Sequence, residues 1–225
     1  MSDRLTRIRA LVGTDKMKKL QNATVMVFGC GAVGSFAIEA LARSGVGNII
    51  LLDFDTVKES NINRQLFATD SSLKRAKIDI ARERIADINP DIKVTTFDIF
   101  FDSETVLSVQ PDFVIDAIDT VPSKIAIYHW CTKNQIPFIS SMGAARKTDP
   151  TKIKIDKISK TYACPLAATI RRAVRDEHLP DFPVVFSSEP PTPHKSPDKN
   201  FGSIITVTGT FGLYMANYVI KKLTE

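Results

Sequence analysis

The apolar run Thr24-Val-Met-Val-Phe28, the glycine turn Gly29-Cys-Gly31-Ala-Val-Gly34 and the helical period of Ser35-Phe-Ala-Ile-Glu-Ala-Leu-Ala-Arg43 follow one another without a gap. Strand, tight turn and helix in that order constrain the fold more than any other feature, because such a unit belongs to a sheet of parallel strands joined by crossovers. The glycines permit a tight turn, close approach of a phosphate to the backbone, and close packing of helix on strand. Free N–H groups at the helix start then attract negative charge.

The pattern repeats along the chain. Short runs rich in β-branched residues lie at 48–53, 92–97, 112–116 and 136–140, with helical patterns at 74–88 and 122–134 between them and a shorter turn near 103–109. This alternation predicts an α/β, Rossmann-like fold, a mainly parallel sheet with helices on both faces. Ahead of it, Leu5, Ile8, Leu11, Val12, Met17 and Leu20 suggest a helical arm over 1–22 that packs on the main body. After Ser141 the alternation stops. Residues 152–158 alternate with period two, as a strand with one charged face. Pro165 opens a helix whose apolar stripe, Leu166, Ile170 and Val174, stands opposite Arg171, Arg172 and Arg175. Residues 176–200 read as a compact loop, proline-rich and mobile from 189 onward, and 201–220 as a buried or interface helix. We expect one domain over 1–225, made of the arm (1–22), a nucleotide-binding core (23–145) and a C-terminal strand and helix extension (146–225).

Composition narrows the class. Of the 225 residues 44% are hydrophobic and 24% charged, the balance of a globular chain, and no basic segment followed by an apolar one opens the sequence. Cys30, Cys131 and Cys164 are far apart and form no C-x-x-C pair, which argues against a disulfide framework or a tetrahedral zinc site and fits a cytoplasmic location. Ser203, Thr206, Thr208, Thr210 and Asn217 interrupt the apolar 201–220 segment, so no stable membrane insertion is expected. The net charge of +5, concentrated in the second half, favours a polyanionic partner.

Asp53 ends the second strand at the distance where an acid accepts hydrogen bonds from a ribose diol. On the glycines and Asp53 alone, a nicotinamide enzyme and an ATP-using enzyme remain open. Arg64 and Lys77 favour ATP, because a triphosphate under cleavage builds up charge that needs fixed cations and a divalent metal. Asp119, just past the fourth strand, is the carboxylate for that metal. Taken singly, Arg64 suits a surface salt bridge, Lys77 a solvated helix position and Asp119 the cap of a helix starting at Val121-Pro122.

With Leu-Asp53-Phe-Asp55, Ser60-Asn61-Ile-Asn-Arg64-Gln65, Ala76-Lys77 and Asp116-Ala-Ile-Asp119 added to the glycine turn, the chain resembles the ubiquitin-activating-enzyme-like adenylating superfamily from residue 4 to about 145. The resemblance implies ATP and Mg²⁺ as cofactors, bound by Gly29, Gly31, Gly34, Asp53, Asp55, Asn61, Arg64, Gln65 and Lys77. Asp53 would hold the ribose, Arg64 and Lys77 the phosphates, and Asp119 the magnesium. It also implies a homodimer in which Arg7 enters the partner subunit's site.

The second half decides the substrate. Gly143-Ala-Ala, Asp149-Pro-Thr-Lys-Ile-Lys-Ile, Pro165-Leu-Ala-Ala and the terminal Gly202-Ser-Ile-Ile-Thr-Val-Thr-Gly-Thr-Phe-Gly are similar to the family of tRNA threonylcarbamoyladenosine dehydratases, from which the 176–200 loop departs. That likeness implies tRNA as partner, sulfur-transfer or relay proteins as further candidates, and cyclisation of a threonyl carboxylate through an acyl adenylate. Arg171, Arg172 and Arg175 would grip the tRNA. The alternative is an activator of a small ubiquitin-like or sulfur-carrier protein, for which Cys164 would supply a thioester. Cys30 at a helix start invites a lowered thiol pKa, although small buried residues there usually pack, and Cys131 suits the core. His129, His178 and His194 show no ligand spacing.

Overall fold

The computed structural model describes residues 3–193 and 201–225. Its seven strands are β1 (Thr24–Phe28), β2 (Asn48–Leu52), β3 (Lys93–Phe97), β4 (Phe113–Asp116), β5 (Phe138–Ser141), β6 (Ile153–Lys157) and β7 (Pro183–Ser187). They form one sheet in the order β3-β2-β1-β4-β5-β7-β6, parallel throughout except for β6, which closes one edge antiparallel to β7. The α-helices are α1 (Thr6–Val12), α2 (Thr14–Asn22), α3 (Gly34–Arg43), α4 (Lys77–Ile88), α5 (Val121–Lys133), α6 (Pro165–Asp176) and α7 (Ile205–Thr224).

The continuous apolar run of β1 follows from its central place, since successive side chains point to opposite faces and both faces are covered. Val25 and Val27 pack with Ile38, Leu41, Ile85 and Phe211 from α3, α4 and α7. Met26 and Phe28 pack on the other side with Ile127 and Cys131 of α5 and Ile170 of α6. Each such side chain contributes about 1.5–3 kcal/mol when fully buried. The chain moves outward from β1 to β3, then returns to β4 on the opposite side of β1. A crevice opens at that reversal, outside the carboxyl ends of β1 and β4.

Three expectations need correction. The arm is two helices rather than one, broken at Gly13, whose φ of +87° a longer side chain rarely adopts. Of its apolar positions Leu5, Met17 and Leu20 are buried, while Leu11 is 84% exposed. The segment 176–200 is not simply a loop, because residues 183–187 form β7 between β5 and β6. Pro183 is tolerated there as the first residue of its strand, and residues 194–200 of the expected mobile stretch lie outside the described residues. The fourth helix begins at Lys77 rather than 74, after a 3-10 turn at Asp70–Ser72 and a left-handed Lys74. Near 103–109 the expected turn occurs at 103–104, set by the Asp102 carboxylate accepting from the Glu104 N–H and the Thr105 hydroxyl.

Two features hold the crevice in shape. On one face α7 lies directly against α3: a methyl group on Gly212 would stand 2.3 Å from the Val33 carbonyl oxygen, which makes glycine the residue that allows this approach. Beneath the crevice Lys124 of α5 donates to Asp116 at the tip of β4 at 2.7 Å and to Ser140 Oγ of β5 at 3.1 Å. Ser140 donates its proton to Asp116 at 2.6 Å, so the Tyr128 hydroxyl, 2.7 Å away, is the donor to Ser140. All four side chains are buried, and burial followed by the Asp116 charge pushes the Tyr128 hydroxyl well up, keeping it protonated.

Two stability measurements check this account. Gly212→Ala should lower the unfolding free energy by about 2–3 kcal/mol through overpacking against backbone, whereas Gly202→Ala, with open space around it, should leave the urea midpoint unchanged. Lys124→Met leaves the Asp116 carboxylate buried without its cation and should cost about 3–5 kcal/mol; a melt equal to that of the parent chain contradicts the network's role.

Candidate functional site

The crevice is a cleft of about 910 Å³. Its floor is the turn after β1. Gly29 has φ of +91° and meets Ala117 and Ile118 at the tip of β4, while a methyl group on Gly34 would fall 1.7 Å from the Gly29 carbonyl oxygen. Gly29 and Gly31 line the cleft, whereas Gly34 lies behind them as the contact that lets α3 start here. No side chain caps α3. Ala32 and Val33 also line the cleft, so the backbone leading into α3 and the positive end of the helix dipole face an anion bound there, while the Ser35 N–H is taken by the Gly31 carbonyl at 3.0 Å.

Asp53 stands just beyond β2. Its Oδ2 accepts the Cys30 N–H at 2.7 Å and its Oδ1 the Asp55 N–H at 2.8 Å, which fixes the carboxylate and leaves each oxygen a lone pair for a hydroxyl donor. Burial raises its pKa, against the Lys77 charge and these two N–H groups. Lys77, at the start of α4, is tied twice to Asp55, through its N–H to the carbonyl at 3.0 Å and its Nζ to the carboxylate at 2.8 Å. The Lys77 side chain is 8% exposed and that of Asp55 is 40% exposed, so the ammonium is held from below and keeps donors for a ligand.

Arg64 is presented by a short turn that Asn61 organises. The buried Asn61 accepts the Lys58 N–H on its side chain, and its carbonyl accepts the N–H groups of Arg64 and Gln65. The Arg64 guanidinium rests on the Ser60 carbonyl at 2.6 Å and the Asn63 side chain at 2.9 Å. Across the cleft Asp119 is exposed, and among the described residues its carboxylate has no hydrogen bond or ion pair. Thr120, not Asp119, takes the N-cap position of α5, so the capping role fails. Asp53, Asp55, Asn61, Arg64, Gln65, Lys77 and Asp119 thus border one cleft. Arg7 is exposed on α1 and does not border it.

Other wall residues were not named as site residues from the sequence, and the topology brings them here. Phe54 and Phe100 are about half exposed and meet edge to face with centroids 5.1 Å apart at the rim. Gly143, Ala144, Ala145 and Leu166 close the end furthest along the sheet. Ser123 also faces the cleft; among the described residues its buried hydroxyl has no partner. Lys124 was legible only as a lysine inside an apolar helix.

The three arginines of α6 divide. Arg171 donates to the Thr161 carbonyl at 2.8 Å and hydroxyl at 2.6 Å, Arg175 pairs with Asp176 at 3.1 Å, and Arg172 is exposed. The thiols are packing groups. Burial, then Asp53, pushes the Cys30 thiol well up, correcting the lowered pKa its position invites. Cys131 is raised by burial in the core. Cys164 is 5% exposed and caps α6, its Sγ accepting the Ala167 N–H at 3.4 Å. Among the described residues no group of three or more His, Cys, Asp and Glu side chains is placed to hold a metal, and no helix is long and apolar enough to cross a membrane. His129 pairs with Glu177 at 2.6 Å, and His194 lies outside the described residues.

The ThiF family model matches residues 3–225. The chain is 46% identical to the tRNA threonylcarbamoyladenosine dehydratase of Bacillus subtilis (strain 168) over 195 residues, 85% of this chain and 77% of that one. It superposes on the structure of E. coli tRNA N6-threonylcarbamoyladenosine dehydratase in complex with AMP at a TM-score of 0.93, and on the same enzyme in complex with ATP at 0.91. Both pairs are 35% identical and cover 99% of this chain and 96% of the other. The chain belongs to the ThiF family, alongside the tRNA threonylcarbamoyladenosine dehydratases.

Proposed function

We infer that this chain catalyses the ATP-dependent dehydration of N6-threonylcarbamoyladenosine in tRNA through a carboxyl adenylate. The observation that carries the reading is the convergence, on one cleft at the carboxyl ends of β1 and β4, of a ribose-type acid, two fixed cations and an unpartnered carboxylate. The named relatives and the ATP and AMP complexes of the E. coli enzyme support the substrate and the nucleotide.

The threonyl carboxylate is a poor acylating group. Its oxygen attacks the α-phosphorus of ATP, the bond to the β-phosphate oxygen breaks, and pyrophosphate leaves. The acyl adenylate is then attacked from within the same nucleotide and releases AMP, so that one water is lost in sum. Lys77 and Arg64 stabilise the charge that builds on the phosphates, together with the N–H groups of the α3 start, and Asp53 orients the ribose. The Asp119 carboxylate fits a magnesium ion, which typically takes one or two carboxylates and completes its shell with phosphate oxygens and water; bound there it would offset phosphate charge. Ring closure needs no protein nucleophile, which accords with three packed thiols. In this reading the chain acts as a homodimer with Arg7 reaching the partner subunit's cleft. Arg171, Arg172 and Arg175 contribute to the tRNA-facing surface, and sulfur-transfer or relay proteins are its further partners.

Arg64→Ala, Lys77→Ala and Asp119→Ala should each lower tRNA-dependent pyrophosphate release by about 10²–10³-fold in kcat, with the melting temperature of Asp119→Ala unchanged because its carboxylate bonds nothing among the described residues. Cys164→Ser should retain turnover, and no thioester-type adduct should appear by mass. Full activity in the three cleft variants, or loss of activity in a folded Cys164→Ser protein, overturns the reading.

A further inference from the structure

Tyr162, between β6 and α6, is 50% exposed and stands among cations. Its ring meets the buried Phe186 of β7 at 75° with centroids 5.5 Å apart, which sets its plane. Lys154 Nζ donates to the Tyr162 hydroxyl at 3.2 Å and lies 5.8 Å from the ring centroid. Those two distances place the ammonium beyond the hydroxyl, near the long axis of the ring, so it covers neither face. Lys154 pairs with Phe186 across β6 and β7, which puts the ammonium and the ring on one side of the sheet edge. Lys152, also exposed, lies two residues before Lys154, and Arg171 of α6 pins the segment from the other side through Thr161.

The same segment forms part of the cleft. Two residues after Tyr162, Cys164 caps α6 with its Sγ 4.0 Å from the Gly143 carbonyl oxygen, and Gly143 and Leu166 are cleft wall. An aromatic face held still in solvent, flanked by ammonium groups and continuous with the wall of a nucleotide cleft, matches the chemistry that recognises unpaired nucleotides: bases stack on aromatic rings while cations take the backbone.

We propose that Tyr162 is a stacking platform for an unpaired base next to the nucleotide that enters the cleft, with Lys152 and Lys154 on the adjoining phosphates. This deepens the function proposed above and rests on it for the identity of the RNA. The cleft takes the modified adenosine, so a neighbouring base of the same loop is directed past the Gly143 and Leu166 wall, toward the segment that carries Tyr162. A preorganised ring loses little freedom on binding and gives affinity without demanding a particular base.

The test measures binding of labelled substrate tRNA by fluorescence anisotropy alongside steady-state kinetics, with the full chain. Tyr162→Ala should weaken tRNA binding and raise the KM for tRNA by about tenfold or more, with the KM for ATP and the melting temperature unchanged. Tyr162→Phe, which keeps the ring, should recover wild-type affinity, and Lys154→Ala should reduce the slope of log affinity against log salt by about 1. Unchanged tRNA affinity in Tyr162→Ala overturns the proposal. So does equal weakening in Tyr162→Phe, or a joint rise in the KM for ATP and fall in melting temperature, since these point to packing on Phe186. Wild-type turnover, measured in parallel, reports on the dehydratase reading separately: binding that depends on Tyr162 without any turnover would sink that reading and leave the platform standing.

Discussion

The start of α3 is clamped between two backbones. Behind it, the turn after β1 comes so close that a methyl group on Gly34 would overlap the Gly29 carbonyl; beside it, α7 approaches within the space that a methyl group on Gly212 would need. This double contact fixes where the N–H groups of the first turn point, and the ligand-facing groups take their positions relative to them. Asp53 is tied to that turn directly, through the Cys30 N–H. The helix dipole, the glycine turn and Asp53 are therefore one rigid unit rather than three features that happen to be near each other.

Electrostatics are arranged in two layers around that unit. In the lower layer the Asp116–Lys124 pair is fully buried, matched and hydrogen-bonded by Ser140, and it holds the β4 tip, from which the loop leads to Asp119. Such a pair contributes modestly to stability as a pair, but losing one member is costly. In the upper layer the charges are half-matched. Lys77 is balanced by a partly exposed Asp55, Arg64 rests on neutral acceptors, and the Asp119 carboxylate bonds nothing among the described residues. An upper layer left incomplete in this way has capacity for a polyphosphate and a cation, where a fully paired one would have to break its own bonds first.

The strand and helix alternation up to residue 141 was legible because both faces of a central parallel sheet are buried, so short apolar runs rich in β-branched residues alternate with helical patterns. β7 was passed over although Val184-Val-Phe186 has strand-forming residues: the run is short and Pro180, Pro183 and Pro190 around it read as loop, whereas Pro183 is accommodated as the first residue of a strand paired with β5 and β6. The arm's break at Gly13 was passed over because its apolar period continues across the glycine, although Leu11 ends in solvent. At the cleft, the residues carried by local motifs were legible. The meeting of Phe54 with Phe100, the place of the Gly143-Ala-Ala motif in the wall, and Ser123 were not, since topology brings them there. Arg171 shows the opposite limit: its position on the charged side of an amphipathic helix said nothing of its tie to Thr161.

The two layers fit a cleft in which a carboxylate is activated on ATP, and the named relatives point to tRNA as its carrier. The most direct measurement incubates the chain with ATP and tRNA bearing N6-threonylcarbamoyladenosine, digests the tRNA, and weighs the nucleosides while AMP and pyrophosphate are counted. The expected product is a modified adenosine lighter by one water, with one AMP and one pyrophosphate formed per nucleoside converted. An unchanged nucleoside, or conversion without ATP cleavage, contradicts it.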